Sequence, residues 1–193
     1  MGQAIFTQLE SARLILRRLL ESDLPAFLAY RNDPLVARYQ SWESYGEPEA
    51  AEFIRRQQRL EPGTPGEWFQ FAIELKDSGA LAGDCALHVR EEDGEQQQQQ
   101  GEIGFTLARD QQGRGYAVEA VARVLTYAFA ELRLHRVVAI TDCENSASVA
   151  LLERLGLRRE GHFRQNVWFK GRWGDEYQYA VLADEWGRRN PTD

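Results

Sequence analysis

Cysteine is scarce. The 193 residues hold only Cys85 and Cys143, with no Cys-x-x-Cys pair, so a disulfide framework is excluded. Histidine is no richer: His88, His135 and His162 lie far apart and never in His-x-x-x-His spacing, and no metal site is expected. Long apolar runs are missing as well. No stretch approaches the ~20 residues that span a bilayer. The apolar segment near the N-terminus is interrupted by Arg13, Arg17 and Arg18, which leaves no signal-peptide pattern. Phe6 stands where a myristoylation site after Gly2 needs Ser or Thr. The expected location is the cytoplasm, without a membrane partner. Basic residues are in deficit: 23 Lys and Arg against 30 Asp and Glu give a formal net charge of -7. An acidic surface repels phosphate backbones, so nucleic acid is not an expected partner, and it attracts cations such as amines.

What is present suits a globular α/β domain spanning 1–193, large enough for a core without disulfides or a structural metal. The composition is 43% hydrophobic and 27% charged. Branched apolar residues over 12–19 predict a strand. Ser22 and Asp23 are candidate N-caps for a helix reaching about Arg31. Asp33-Pro34 opens a short helical turn, 39–45 reads as an aromatic loop, and a helix runs from Pro48 to about Leu60. Trp68–Leu75 and Leu81–Val89 read as strands around the turn Asp77-Ser78-Gly79. Residues 91–100, ending in the glutamine run 96–100, read as a solvated hairpin loop.

A third strand, Glu102–Ala108, alternates cleanly. Ile103, Phe105 and Leu107 share one side, and Glu102, Gly104, Thr106 and Ala108 the other. A helix over about 116–133, a strand over 136–142 and a helix over 145–155 follow, the last stopped by Gly156. Strands over 157–168 and 176–182, joined at Lys170-Gly171-Arg172, close the chain.

The loop Gln112-Gly113-Arg114-Gly115-Tyr116-Ala117 carries the most chemical information. Its glycines permit a tight turn and close backbone approach to a ligand, and the following helix points free N–H groups at the same spot. A phosphate or pyrophosphate fits such a site; a plain strand-to-helix turn would also need the glycines. A P-loop is absent, and Val118 breaks the Gly-x-Gly-x-x-Gly fingerprint. Dinucleotide binding is a lesser alternative.

Gln112-x-x-Gly115-x-Ala117 resembles the [QR]xxGx[GA] motif of the GNAT acetyltransferases. The flanks extend the likeness: Glu102-Ile103-Gly104-Phe105, Asn145-Ser146-Ala147-Ser148, Leu152-Glu153-Arg154-Leu155-Gly156-Leu157, and Gly171-Arg172-Trp173-Gly174-Asp175-Glu176-Tyr177. With Glu10-x-x-Arg13-Leu14-x-Leu16-Arg17, the chain resembles the RimJ/RimL branch along nearly its whole length. The resemblance implies a mixed, mostly antiparallel central sheet flanked by helices. It also implies acetyl-coenzyme A as co-substrate and a primary amine as acceptor, a protein N-terminus in that branch; an amino-acid, polyamine or antibiotic amine is the alternative. A non-catalytic acetyl-coenzyme A sensor is a further alternative, and both monomers and homodimers are compatible.

Site roles follow from the resemblance. Phe105, Thr106 and Leu107 would lie along the pantetheine and acetyl end, with N–H groups near Leu107 facing the developing oxyanion. Gln112, Gly113, Arg114, Gly115, Tyr116 and Ala117 would hold the phosphates. Asn145 would bond the pantetheine, and its position equally suits an N-cap. Leu152 stands where many members have a tyrosine acid, so Ser148 inherits the assistance of the leaving thiolate. Two further roles are read from the residues and not from the resemblance: Glu102, which opens the strand leading to the acetyl end and shares a face with Gly104 and Thr106, is the expected general base through a water, and Tyr39 and Trp42 are the expected acceptor wall, with Tyr45 beside them. Glu119 is expected to be structural, and Cys143 is not expected to act as a nucleophile.

Overall fold

A computed structural model describes residues 6–90 and 100–189, so the glutamine run apart from Gln100 lies outside the described residues. The strands are β1 (Gln8–Glu10), β2 (Leu14–Arg18), β3 (Trp68–Leu75), β4 (Leu81–Val89), β5 (Gln100–Leu107), β6 (Arg136–Asp142), β7 (Arg158–Phe169) and β8 (Arg172–Leu182). The helices are α1 (Leu24–Arg31), α2 (Pro34–Ala37), α3 (Glu47–Arg59), α4 (Tyr116–Ala130), α5 (Ser146–Arg154) and α6 (Ala183–Arg189). None of the described helices is long and apolar enough to cross a membrane.

The strands form one sheet in the order β1-β2-β3-β4-β5-β6-β8-β7. Every neighbouring pair is antiparallel except β5–β6. The larger core lies under α4, where Val121, Val124, Leu125 and Ala128 meet Phe71, Ile103, Val137 and Tyr179. Their spacing in α4 is the helical period read from the sequence. A second cluster on the opposite face, Leu19, Phe27, Tyr30, Ile54 and Ala72, seats α1–α3.

Several boundaries differ from the sequence expectations. Asp23 does not cap α1 with its side chain; its carboxylate accepts the Leu20 N–H and pairs with Arg17 at 2.7 Å. β1 was not expected: three residues are too short for a periodic signal, and pairing with β2, Leu9 opposite Leu16, defines them. α6 was not expected as a helix; Trp186, 4% exposed, anchors it to the larger core. β8 begins at Arg172 rather than 176. Lys170 (φ 48°) and Gly171 (φ 80°) both take positive φ, the two-residue turn whose twist matches its strands, so Phe169 pairs directly with Arg172.

One irregularity in the sheet positions everything that follows. The parallel strands β5 and β6 pair only at Gln100–Arg136, Gly101–Val137 and Glu102–Val138. Beyond Glu102 they diverge. β5 stays paired to β4 as far as Leu107–Gly83, and β6 stays paired to β8 as far as Asp142–Glu176. A wedge therefore opens in the sheet with Glu102 and Val138 at its apex. Gly83 lets β5 hug β4 on the far side: a Cβ there would sit 2.1 Å from the Thr106 carbonyl oxygen.

Candidate active site

The wedge is a cleft walled by Ile103, Gly104 and Phe105 on one side and Ala139 to Asp142 on the other. Asn145, Ser148 and Leu152 of the α5 region, Tyr39 and Gln40, and Val167, Phe169 and Glu176 complete the lining. The cleft thus brings together four residues singled out from the sequence: Phe105, Asn145, Ser148 and Tyr39. Gln40, Val167, Phe169 and Glu176 were missed. Glu176 belongs to the stretch Gly171–Tyr177 noted above, but the others carry no local signal; a distant loop and the β7–β8 hairpin deliver them.

That hairpin is tied over the cleft. The Lys170 ammonium donates to the carbonyls of Ala37 and Trp42 at 2.5 and 2.9 Å. Arg172 holds Glu144 with two hydrogen bonds of 2.9 and 2.7 Å. The Tyr39 hydroxyl donates to the Glu144 carbonyl at 3.2 Å. Charge-assisted, two-point contacts of this kind fix geometry better than a single bond.

Trp42 is not on the cleft wall. Its ring lies 3.8 Å from the Arg31 guanidinium carbon and its indole N–H donates to the Arg31 carbonyl. It lines instead a second chamber on the α1–α3 face, with Arg31, Tyr45, Phe53, Trp68, Gln70, Asp84, Ala86 and Thr106. Gln40, Gly104 and Phe105 border both spaces. Thr106 therefore faces the chamber, while the Leu107 side chain is buried in the larger core.

Glu102 lies at the wedge apex, in a cross-strand row with Trp68 and His88. It is on neither the cleft wall nor the chamber wall, and its side chain makes no hydrogen bond among the described residues. Burial pushes its carboxyl above the ordinary carboxylate range; Arg90 and His88 pull it down, and Glu176 adds to the rise. A half-buried carboxylate without a fixed donor is free to accept a proton.

At the other end of β5 the chain turns through Gln112–Gly115 into α4. The Gln112 amide donates to the Leu107 carbonyl at 3.1 Å. Gly113 (φ 74°) and Gly115 (φ 82°) take left-handed conformations that L side chains avoid. The first intrahelical bond runs from the Glu119 N–H to the Gly115 carbonyl. The N–H groups of Tyr116, Ala117 and Val118 precede it and, as at any helix start, have no partner within the helix. They sit at the positive end of the α4 dipole. Glu119 accepts from the Ser11 hydroxyl, the Arg13 N–H and the Arg13 guanidinium, each at 2.7 Å. Burial raises its carboxyl, but these three donors outweigh burial and hold it below the ordinary range. Arg13 also donates to the Arg114 carbonyl at 3.0 Å, so the N-terminal hairpin braces the loop. Left-handed glycines, a free amide crown and a cleft along the unpaired edge of β5 fit a long thioester with a diphosphate at one end.

Asn145 caps α5, its side chain accepting the Ser148 N–H at 3.2 Å while it lines the cleft. The Ser148 hydroxyl is half-buried on the same wall and makes no hydrogen bond among the described residues. Burial holds the Cys143 thiol above its ordinary range, and hydrogen bonding to Tyr177 offsets this only in part. Among the described residues, no group of three or more His, Cys, Asp or Glu could hold a metal ion.

The chain matches the family model of the acetyltransferase (GNAT) domain over residues 13–158. It is 32% identical to the "uncharacterized N-acetyltransferase YnaD" of Bacillus subtilis (strain 168), over 90% of this chain and 96% of that one. It is 29% identical to the [ribosomal protein uS5]-alanine N-acetyltransferase of Escherichia coli (strain K12), over 44% of this chain and 43% of that one. Among solved structures, the GNAT-family acetyltransferase from Bacillus anthracis superposes with a TM-score of 0.79 at 28% identity, covering 93% of this chain and all of that one. The chain belongs to the GNAT acetyltransferase family and is an acetyl-coenzyme A-dependent N-acetyltransferase.

Proposed function

We propose that the protein moves the acetyl group directly onto the α-amine of a protein N-terminus, such as that of a ribosomal protein, as in the RimJ/RimL branch. The observation that carries this reading is the meeting of two spaces on β5. The cleft and the chamber share Gln40, Gly104 and Phe105, the latter two following Glu102 along β5. Acetyl-coenzyme A supplies the reactive thioester. The unpaired edge of β5 and the amide crown of Gln112–Ala117 hold it along the cleft, and the amine enters from the chamber side. Much of the rate comes from keeping the amine against the thioester in one orientation. Glu102, set back from both walls, attracts the ammonium form and takes its proton through a water. Asn145 and Ser148 face the sulfur end, and the Ser148 hydroxyl, free of other bonds, donates to the departing thiolate. The test is an amine panel assayed with acetyl-coenzyme A. N-terminal peptides of ribosomal proteins are expected to exceed ε-acetyl acceptors such as free lysine; a panel acetylated only at lysine side chains would refute the N-terminal assignment.

Two predictions arise here. Gly115→Glu places a side chain and a like charge at the phosphate loop, with a Cβ 3.4 Å from the Arg13 guanidinium. Acetyl-coenzyme A affinity is expected to fall at least about tenfold, ~1.4 kcal/mol, with far-UV circular dichroism retained. Unchanged affinity in calorimetry would remove the pyrophosphate assignment. Ser148→Ala leaves the Asn145 cap intact, because the cap uses the Ser148 backbone N–H. Its loss should fall on kcat rather than on acetyl-coenzyme A affinity, since the bond strengthens only as charge develops on sulfur. A kcat within about twofold of wild type would make Ser148 an ordinary helix residue.

A further inference from the structure

The cleft passes through the sheet, and its two faces carry different chemistry. Asn145, Ser148 and Leu152 line it from the α5 side. On the other face the β7–β8 hairpin delivers Val167, Phe169 and Glu176. Val167 pairs with Gly174 and Phe169 with Arg172, and Glu176 follows in the same alternation, so these side chains share one face of the hairpin. Tyr179 turns the other way: its ring lies in the larger core and its hydroxyl donates to Glu153 of α5 at 2.9 Å. Glu102 is on the same side of the sheet as Glu176, because it alternates with Gly104 and Thr106, which line the chamber.

Among the described residues no lysine, arginine or histidine lines the cleft, and its carboxylates are Asp142 and Glu176. The two are cross-strand partners with different surroundings. Asp142 accepts the Glu144 N–H at 2.7 Å and lies close enough to Arg172 to act on its charge. Glu176 forms no ion pair among the described residues. One of its oxygens accepts from the neutral Asn166 amide at 2.5 Å, and the other has no partner among them. A bulge in β7 brings Asn166 there: the register shifts between Phe163 and Val167, and Gln165 takes a φ of 48°. Bulges beside active sites re-aim side chains in this way. A neutral donor thus fixes the Glu176 carboxylate while its charge stays uncompensated on the cleft wall. That charge reaches the wedge apex, where it adds to the rise of the Glu102 carboxyl.

We propose that Glu176 holds the acceptor's ammonium and so selects cationic acceptors, while Glu102, set back at the apex, takes the proton through a water. The inference rests on the proposed function for the face from which the amine enters. With the thioester sulfur toward Asn145 and Ser148, an amine arriving from the opposite face meets Glu176 on the cleft wall. A carboxylate with a free oxygen binds an ammonium by a charge-assisted hydrogen bond, which an uncharged group of the same shape does not match.

The test compares trialanine amide with its analogue carrying lactate in place of the first alanine, a hydroxyl where the peptide has its ammonium. Binding to the full chain with coenzyme A present is measured by NMR titration at about pH 6.5, where an α-amine of pKa about 7.7–8.0 is mostly cationic. The wild type is expected to bind trialanine amide at least about tenfold more tightly than the analogue, and Glu176→Gln to bring that ratio below about threefold. Glutamine still accepts from Asn166, so the bulge is kept. Glu176→Asp, with the charge on a shorter stem, should restore part of the ratio. With acetyl-coenzyme A, Glu176→Gln should raise KM for the peptide by a larger factor than it lowers kcat, as the loss of a binding contact does. No preference for the ammonium in the wild type, an undiminished ratio in Glu176→Gln, or a ratio in Glu176→Asp no higher than in Glu176→Gln would overturn the inference. A preference that depends on Glu176, for a peptide that is never acetylated, would leave Glu176 standing and refute the N-terminal reading instead.

Discussion

Glu102→Gln is expected to lower kcat/KM by roughly 10²–10⁴ while leaving acetyl-coenzyme A affinity nearly unchanged. The substitution keeps size and hydrogen-bonding capacity and removes only the basic site. An α-amine has a pKa of about 7.7–8.0, so a large cationic fraction reaches the site near neutral pH and must shed a proton before attack. Burial holds the Glu102 carboxyl above the ordinary range, which strengthens it as a base. The sign of the pH dependence follows. In the wild type kcat/KM falls as pH drops through that raised value, because the carboxyl becomes protonated; in the glutamine variant this acid limb moves or disappears. Stability should change in the opposite sense to activity. A carboxylate whose folded pKa is raised is destabilising above that pKa, and the cost is relieved as pH falls through it. The glutamine variant is therefore expected to unfold at the same or higher urea concentration than wild type at pH 7. Wild-type kcat/KM with an unmoved pH profile would show that the proton leaves by another route.

Asp84→Asn is expected to cost about 3–5 kcal/mol of folding stability, a large fraction of the total for a domain of this size. Asp84 and Arg31 are 2% and 3% exposed, and the Arg31 guanidinium is enclosed by Phe27, Tyr30, Trp42, Tyr45 and Phe53. Burial works against the charge on Arg31, and Asp84 and Tyr30 together more than offset this. Asparagine preserves shape but leaves a buried cation without its counter-charge. The pair also joins α1 to β4 through the Tyr30 hydroxyl, so its loss loosens the α1–α3 layer against the sheet. The check is urea denaturation: the midpoint should fall with the m-value unchanged. A loss below about 1 kcal/mol, the range of an exposed ion pair, would mean that water reaches Arg31 and compensates it.

The parts of this fold that were legible in the sequence are those with a local cause. The alternation in Glu102–Ala108 separates the core side of β5 from the side bearing Glu102 and Thr106, and the structure keeps Ile103 and Leu107 buried in the larger core. The left-handed requirement at Gly113 and Gly115 marks the start of α4, and Asn145 marks the start of α5. What the sequence could not carry depends on distant chain segments. The divergence of β5 from β6 after Glu102 is a property of two strands brought together across α4, and no residue encodes it alone. The aromatic loop reads as an acceptor wall, but which space each ring lines is not local: Arg31, eleven residues before Trp42, holds that ring in the chamber, while Tyr39 lines the cleft. Phe169 and Glu176 reach the cleft because the β7–β8 hairpin folds back over it, held by Lys170 on carbonyls more than a hundred residues away. β1 exists by pairing, a term that periodicity does not register.

The central claim is that donor and acceptor occupy adjoining spaces on β5 and react directly, and steady-state kinetics test it most closely. Initial rates are measured with acetyl-coenzyme A and an N-terminal peptide, each varied at several fixed levels of the other. Direct transfer requires both to be bound at once, so the double-reciprocal lines should intersect, and protein incubated with acetyl-coenzyme A alone should carry no acetyl group on Cys143 or any other residue. Parallel lines, together with an acetylated protein that passes its acetyl group to the peptide after acetyl-coenzyme A is removed, would contradict the account.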